Sequence, residues 1–215
     1  MARNGQRVMV TWVHHLNELS AAPRDPCVLL TPLSGSELEQ RAHRRALASK
    51  MAEIVFGEAG LKIGSTQEGA LRFFANDRPV SLFLSHATRG GVSAIAVART
   101  PVGVDLELLQ PYFEPAWNIL HAHEKDLLEN LDSKTREQSA QHHAFLKIWT
   151  AKEACLKLDG RGLLVEPGLL EVIGHTARNH ANAASYKLDY FETDRLIACL
   201  AERNELEHDQ HLARS

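Results

Sequence analysis

The chain has 215 residues, of which 44% are hydrophobic and 24% charged, enough for one large domain or two small ones. No stretch approaches the roughly 18 apolar residues of a membrane-spanning helix, and the three cysteines are widely spaced without a CxxC pair, so export, membrane anchoring, a disulfide framework and a structural zinc site are not expected. The net charge of −3 makes nucleic acid a poor partner, and the sequence predicts a cytoplasmic protein.

Charge is distributed unevenly along the chain. Up to Pro101, 12 basic and 8 acidic side chains give +4, whereas the remaining residues carry 12 basic and 19 acidic side chains and therefore −7. A basic first half could hold a compact polyanion. Uneven scatter of surface charge explains the same count equally well.

The first half predicts a long helix followed by strands. Residues 34–59 repeat apolar side chains at spacings of three and four and end in glycines, which is typical of a helix. From Val80 the period changes to two. We predict an antiparallel meander of three strands, with a glycine turn after the first: 80–86, 92–98 and 102–108.

The second half repeats this order of elements. Helical periodicity covers 117–131 and 138–158, with glycines just past the end, and predicted strands follow: 168–173, 184–191 and 196–201. The predicted fold class is therefore α+β, a pseudo-twofold pair of similar halves, each with a long helix packed on a small antiparallel sheet. We place the first half at 1–102, the second at 103–203 and a polar tail at 204–215.

Residues 103–108, Gly-Val-Asp-Leu-Glu-Leu, predict a strand with one acidic face. Side chains at i and i+2 point to the same side of a strand, so Asp105 and Glu107 share a face opposite the apolar residues. Two adjacent carboxylates repel unless a cation lies beside them, and a hard divalent cation is the usual solution. For the pair alone, a solvated acidic face on an edge strand is the simpler explanation.

The second predicted helix of this half carries another charged pair, Glu153 and Lys157, four residues apart on one face. Alone it is a routine surface pair, but next to an acidic strand Glu153 could add a third carboxylate and Lys157 a cation for a phosphate. His86 ends the first strand of the meander, which would bring it to the same sheet end as Glu107. A lone histidine at that position is otherwise more often a turn residue.

Three motifs occur in a particular order and at particular separations along the chain. Ser85-His86 precedes Gly-Val-Asp-Leu-Glu at 103–107, and about 40 residues later come Trp-Thr-Ala-Lys-Glu-Ala at 149–154 and Lys157. Together they resemble the signature of the 4′-phosphopantetheinyl transferase superfamily. The resemblance runs from the mid-thirties to residue 175, with further matches at 42–44, 65–68, 78–79 and 160–163.

The resemblance implies a metal site and a catalytic group. Mg²⁺, or Mn²⁺ in its place, would be held by Asp105, Glu107 and Glu153 together with the pyrophosphate of coenzyme A. Glu153 is also the candidate general base, with Lys157 and His86 as the other catalytic candidates because they would contact the phosphates.

The resemblance also implies a coenzyme A site. Ser85 and Arg78 would line the nucleotide site, His86 and Lys157 would bind the phosphates, and Arg44 would bind the 3′-phosphate. Two similar halves in one chain are similar to the surfactin-synthetase-activating type rather than the short, trimeric holo-acyl-carrier-protein synthase type, which implies a monomer.

The implied reaction is phosphoryl transfer. A serine hydroxyl of an apo acyl or peptidyl carrier protein would attack the β-phosphorus of coenzyme A, and 3′,5′-ADP would leave. The chain would then be a transferase of the holo-[acyl-carrier-protein] synthase class, serving fatty-acid, polyketide or nonribosomal-peptide biosynthesis, with coenzyme A and the carrier protein as partners and neither nucleic acid nor a membrane.

Two other functions compete with this interpretation. Twelve histidines, including His121, His123 and the pair at 142–143, could suggest a zinc hydrolase, but no HExxH or comparable ligand spacing occurs, which favours solvated helix residues. A non-catalytic module that binds coenzyme A or a carrier protein is the other candidate. Three metal-facing acids would be superfluous in such a module.

Overall fold

The computed structural model describes residues 10–19, 25–65, 71–112, 114–135, 138–160 and 166–204. Within these ranges no helix has both the length and the apolar character that crossing a membrane requires. Parts of two sequence matches, at 66–68 and 161–163, and all of the predicted tail except Asn204 lie outside the described residues.

The first half of the chain forms a six-stranded sheet in the order β1-β2-β6-β5-β4-β3. All neighbouring strands are antiparallel except β1 and β2, which are parallel. The strands are β1 (Thr11–Val13), β2 (Cys27–Pro32), β3 (Lys62–Ser65), β4 (Leu71–Ala75), β5 (Arg78–Arg89) and β6 (Val92–Ala98).

The second half forms a five-stranded antiparallel sheet in the order β7-β11-β10-β9-β8. Its strands are β7 (Val102–Leu108), β8 (Leu170–Ile173), β9 (Thr176–Asn179), β10 (Ser185–Glu192) and β11 (Leu196–Arg203). Two α-helices lie between β7 and β8 in the chain, α2 (Ala122–Thr135) and α3 (Gln138–Asp159).

The helix of the first half, α1 (Glu37–Phe56), begins and ends at residues suited to those positions. The Glu39 amide donates to the Ser36 hydroxyl at 3.4 Å, and the Ser36 amide donates to the Glu39 carboxylate at 2.7 Å, which is a capping box. At the other end Gly57 adopts φ 72°, a left-handed conformation that glycine reaches without steric cost.

Three apolar clusters build the molecule in layers. One joins α1 to the first sheet, one joins α3 to the second sheet, and the third lies between the two sheets. The middle cluster contains Val28 and Leu30 of β2 and Val104 and Leu106 of β7, so the two sheets pack face to face. This α+β arrangement of two helix-and-sheet halves confirms the predicted fold class.

The helix α3 approaches β7 unusually closely at Gly103. A Cβ atom at this position would overlap the carbonyl oxygen of Ala154 and lie 2.7 Å from the amide nitrogen of Leu158. Because side chains alternate along a strand, Gly103 faces the same side as Asp105 and Glu107. The missing side chain therefore lets α3 pack on the face of β7 that carries the two acids.

The predicted three-strand meander was wrong in one respect. β5 and β6 pair as expected, but β7 leaves this sheet and pairs with β11 as the edge strand of the second sheet. The short connection at 99–101 carries the chain from one sheet to the other, because the apolar residues of β7 are buried between the sheets. The argument that strand pairing places His86 beside Glu107 therefore does not hold.

Several elements were also missed or shifted. The helices at 34–59 and 138–158 are confirmed as α1 and α3, whereas the predicted helix at 117–131 starts with a short 3₁₀ turn and becomes α-helical only at Ala122. The strand predicted from 168 begins at Leu170. No strand was predicted from the sequence at β1 to β4 or at β9, which are each only three to six residues long.

A substitution at Gly103 tests the close helix-strand contact. Gly103→Ala should lower the free energy of unfolding by about 3 kcal/mol or more, at the upper end of overpacking effects, because rigid backbone of α3 must move. Urea unfolding of the purified protein measures this loss. Gly168→Ala is the matched control, since its new Cβ would lie 3.7 Å from the nearest atom, an ordinary contact. Equal stability of the two variants would contradict the proposed packing.

Candidate active site

A polar cleft of about 230 Å³ opens between β7, α3 and the end of β5. It is smaller than the roughly 300–1,000 Å³ of sites that enclose a whole drug-sized ligand. The cleft can therefore hold the charged end of a larger ligand. Its lining residues are Ala87, Thr88, Arg89, Asp105, Leu106, Glu107, Trp149, Glu153 and Lys157.

The two acids of β7 are buried, although β7 is an edge strand. Asp105 and Glu107 are each only 6% exposed, because α3 covers their face of the strand. Lys157 donates to Asp105 Oδ1 at 2.6 Å and Arg89 donates to both oxygens of Glu107 at 2.9 and 2.6 Å. A solvated acidic face is thus excluded for this pair.

The third acid comes from α3. Trp149, Glu153 and Lys157 recur every four residues, so they form one stripe of the helix, and that stripe lines the cleft. Lys157 also donates to the carbonyl oxygen of Val104 at 3.3 Å, which ties the last turns of α3 to β7.

The cleft holds three acids against two cations, and this imbalance is visible in the pKa values. Burial raises the pKa of Asp105 to about 6 despite the favourable charge of Lys157, and the neighbouring Glu107 and Glu153 add to the rise. Burial likewise raises the pKa of Glu153. Within the described ranges, Asp105 Oδ2 is buried and has no hydrogen-bond partner. An additional cation would satisfy this oxygen.

The sheets are linked at the cleft by Ser85. Its hydroxyl accepts a hydrogen bond from the Val104 amide at 3.0 Å, which satisfies a backbone donor on the free edge of β7. This interaction joins β5 to β7 across the inter-sheet core and brings the end of β5 to the cleft.

His86 lies next to a group of cations. Burial lowers its pKa to about 4, and the positive charges of Arg44 and Lys157, followed by Arg41 and Arg45, lower it further. Arg44 reaches the cleft rim from α1, where it donates to the Thr88 hydroxyl at 3.2 Å. The positive charges of four side chains from α1 and α3 thus act on a neutral imidazole, an arrangement suited to an anion.

A family model described as the 4′-phosphopantetheinyl transferase superfamily matches residues 101–212, more than half of the chain. The chain belongs to this superfamily. No curated protein matches it. Membership supports phosphopantetheinyl transfer as the general activity, and the matched region includes four charged residues of the cleft: Asp105, Glu107, Glu153 and Lys157.

The structure brings most of the residues singled out for this superfamily to one place, but not all. Asp105, Glu107, Glu153 and Lys157 line the cleft, and Ser85, His86 and Arg44 adjoin it. Arg78 is exposed at the far end of β5, seven residues before Ser85 and thus about 23 Å along the strand. Its contact with the nucleotide stays a prediction.

The metal ligands predicted for a phosphopantetheinyl transferase line one cleft without meeting at one point. Within the described part of the chain, the set of His, Cys, Asp or Glu ligand atoms lying within 4.8 Å of one another is elsewhere, at His121, Glu171 and His180. The pairing of Asp105 with Lys157 and of Glu107 with Arg89 explains why the carboxylates do not converge.

Sequence reasoning missed the place of Arg89 in this site and the role of Lys152 outside it. Arg89 was assigned only to a turn, yet it binds Glu107 and lines the cleft. Lys152, in the motif at 149–154, is fully buried and binds Glu124 at 2.8 Å on another side of α3. Its position one residue before Glu153 signals that difference, since successive helix residues point about 100° apart.

Because acids outnumber cations in the cleft, the free energy of unfolding of the metal-free protein should depend on pH. With a pKa raised from 3.8 to about 6, Asp105 in the folded state holds a proton that the unfolded chain has lost between about pH 4 and pH 6. Its contribution to stability is complete below about pH 4 and is lost as the pH rises through about 6, by at most about 3 kcal/mol.

Asp105→Asn should remove this loss. In urea unfolding with a chelator, the stability of the variant relative to wild type should therefore be higher at about pH 7.5 than at about pH 4.5. Asp194→Asn, at an exposed turn, is the matched control and should show no such difference. A pH-independent effect of Asp105→Asn would contradict the burial argument.

Proposed function

We propose that this protein transfers the 4′-phosphopantetheine group of coenzyme A to a serine of an apo acyl or peptidyl carrier protein in a Mg²⁺-dependent reaction. The observation that carries the proposal is the cleft between β7 and α3, where three carboxylates and two cations line a volume fit for a diphosphate. The superfamily match supports the reaction class.

The proposed reaction exchanges a phosphoanhydride linkage for a phosphoester linkage. The serine oxygen bonds to the β-phosphorus, the bond from that phosphorus to the oxygen bridging to the α-phosphate breaks, and 3′,5′-ADP leaves with the electron pair. The serine proton passes to a base, for which Glu153 is the candidate, because burial raises its pKa and improves its ability to take a proton. Positioning and charge neutralisation supply most of the catalysis in such a transfer.

The carboxylate set fits a hard divalent ion. Asp105, Glu107 and Glu153 offer only oxygen ligands, which Mg²⁺ and Mn²⁺ prefer, and the buried Asp105 Oδ2 needs a positive partner. When bound, the ion would neutralise charge on the diphosphate oxygens. Before a metal binds, Lys157 and Arg89 pair with two of these carboxylates, which lowers the electrostatic cost of burying the acids.

Arg89 and Lys157 are proposed to change partners when the ligand binds. Both contact a carboxylate that we assign to the metal, and both are close enough to the cleft to reach a diphosphate in it. Guanidinium and ammonium groups bind phosphate oxygens through charge-assisted hydrogen bonds. Each cation would thus stabilise negative charge as it develops on the leaving phosphate.

The basic side of the cleft is proposed to bind the nucleotide. Arg44 would bind the 3′-phosphate and His86 a phosphate of the diphosphate, because the cations that lower the pKa of His86 leave a site suited to an anion. Ser85 and Arg78 are proposed to line the rest of this site. Because one chain carries these residues from both predicted halves, 1–102 and 103–203, we propose a monomer, acting in the cytoplasm.

The proposed function is tested by incubating the protein with coenzyme A, Mg²⁺ and an apo carrier protein. The intact mass of the carrier should increase by that of phosphopantetheine, and no increase should occur when a chelator is added. A panel of fatty-acid, polyketide and peptide carriers identifies the class that is served. Binding of coenzyme A without any transfer would replace the proposal by the non-catalytic module.

Removal of the carboxylates should abolish the transfer. Asp105→Ala and Glu153→Ala are each expected to lower turnover by at least two to three powers of ten, about 3–4 kcal/mol, the usual effect of removing a strong electrostatic contributor. Glu129→Ala, at an exposed carboxylate of α2, should retain normal turnover. Near-normal turnover in either cleft variant would contradict the metal assignment.

Substrates with and without the 3′-phosphate test the role of Arg44. Arg44→Ala should raise the KM for coenzyme A at least about tenfold, as expected for loss of one charge-assisted hydrogen bond, and leave the KM for 3′-dephospho-coenzyme A nearly unchanged. Lys50→Ala, at an exposed position on the same helix, is the control. Equal increases for both substrates would assign Arg44 another role, and an unchanged Tm excludes loss of the helix.

A further inference from the structure

A cluster of histidines around one carboxylate lies where α2, β8 and β9 meet, on residues that the cleft does not use. Glu171 Oε2 lies 3.0 Å from His180 Nε2, and Glu171 Oε1 lies 3.6 Å from His121 Nδ1 and 3.3 Å from His123 Nδ1. The rings of His121 and His180 stack, with centroids 5.0 Å apart and planes 5° apart. Three imidazoles therefore surround a single acid.

The backbone holds these residues in place without a ligand. His121 precedes α2, and its amide donates to the Glu124 carboxylate at 2.7 Å, while Glu171 lies in β8 opposite Arg178. His180 follows β9, and its amide donates to the Leu169 carbonyl at 2.9 Å. Side-chain rotation alone can therefore adjust the distances between the three side chains.

The ligand atoms are close to the spacing of a metal site. One nitrogen each of His121 and His180 and one oxygen of Glu171 all lie within 4.8 Å of one another. Two nitrogens bound to a tetrahedral Zn²⁺ at about 2.0–2.1 Å are about 3.3 Å apart. Rotations of the two partly exposed rings would be enough to reach this distance.

We propose that His121, Glu171 and His180 bind one divalent transition-metal ion of the Zn²⁺ class. Two imidazoles and a carboxylate are a recurrent ligand set for Zn²⁺ and leave a fourth position for water. Imidazole nitrogen suits Zn²⁺ and its first-row neighbours, whereas Mg²⁺ requires oxygen ligands in near-octahedral geometry. The chain thus carries two sites of different metal preference, the all-oxygen cleft and this histidine site.

A metal ion at this site would join parts of the chain that are distant in sequence. It would attach the start of α2 to the hairpin of β8 and β9. Next to this site, the Glu124 carboxylate accepts hydrogen bonds from the Val172 amide at 2.7 Å and from the buried Lys152 ammonium at 2.8 Å. Lys152 also donates to the carbonyl oxygens of Pro167 and Leu170, so these contacts attach α3 to the same part of the protein. Metal binding should therefore stabilise the second half of the protein.

The full chain, first stripped of metal with a chelator, tests the proposal by titration with Co²⁺ and then Zn²⁺. One Co²⁺ per chain should produce visible d–d absorption bands, Zn²⁺ should displace it, and excess Mg²⁺ should not. With Zn²⁺ at about a hundredfold excess over its Kd, the Tm should rise by about 5–10 °C. Absence of the Co²⁺ bands, or their loss on addition of Mg²⁺, would overturn the proposal.

Variants assign the site to these residues. His180→Ala and Glu171→Gln should each weaken Co²⁺ binding at least about 100-fold, beyond the usual effect of an outer-shell change. The double variant His208→Ala, His211→Ala, which removes two histidines three residues apart near the C-terminus, is the matched control and should bind normally. Circular dichroism confirms folding of each variant. If His180→Ala bound Co²⁺ normally and the control variant did not, the proposal would be wrong and the metal site would be assigned to His208 and His211.

Discussion

The close contact of α3 with β7 is the constraint on which the candidate active site depends. Gly103, Asp105 and Glu107 share one face of β7, and the glycine removes the side chain that would hold the helix away. Because α3 then lies directly over this face, Glu153 and Lys157 enter the same cleft as the two strand acids. A wider spacing of helix and strand would leave the two strand acids solvated and remote from Lys157.

The opposite face of β7 explains why this edge strand is stable. Val104 and Leu106 are buried between the sheets, and Ser85 accepts a hydrogen bond from the free edge at Val104. One strand therefore belongs to two layers, with its apolar face in the core and its acidic face in the cleft. The alternation of a strand makes this possible, since a helix would have placed the acids about 200° apart.

Buried acids in this protein are paired with cationic side chains. Lys157 and Arg89 each hold a carboxylate of the cleft, and Lys152 holds Glu124 on another side of α3. Breaking a buried ion pair leaves an uncompensated charge and is strongly destabilising. The two sides of α3 differ in one respect: the Lys152 pair is buried in the interior, whereas the cleft pairs face a cavity.

The sequence by itself determined the local structure and the residue types of the site. Apolar periodicity located α1, α3 and β5 to β7, and the motifs at 103–107 and 149–157 identified three acids and Lys157 because spacing along one element decides which side chains share a face. Pairing between elements was decided only by the tertiary structure. The transfer of β7 to the second sheet, the partnership of Arg89 with Glu107 and the cluster of His121, Glu171 and His180 each join residues that are distant along the chain. Periodicity carries no information on such contacts, because they depend on which apolar faces bury each other.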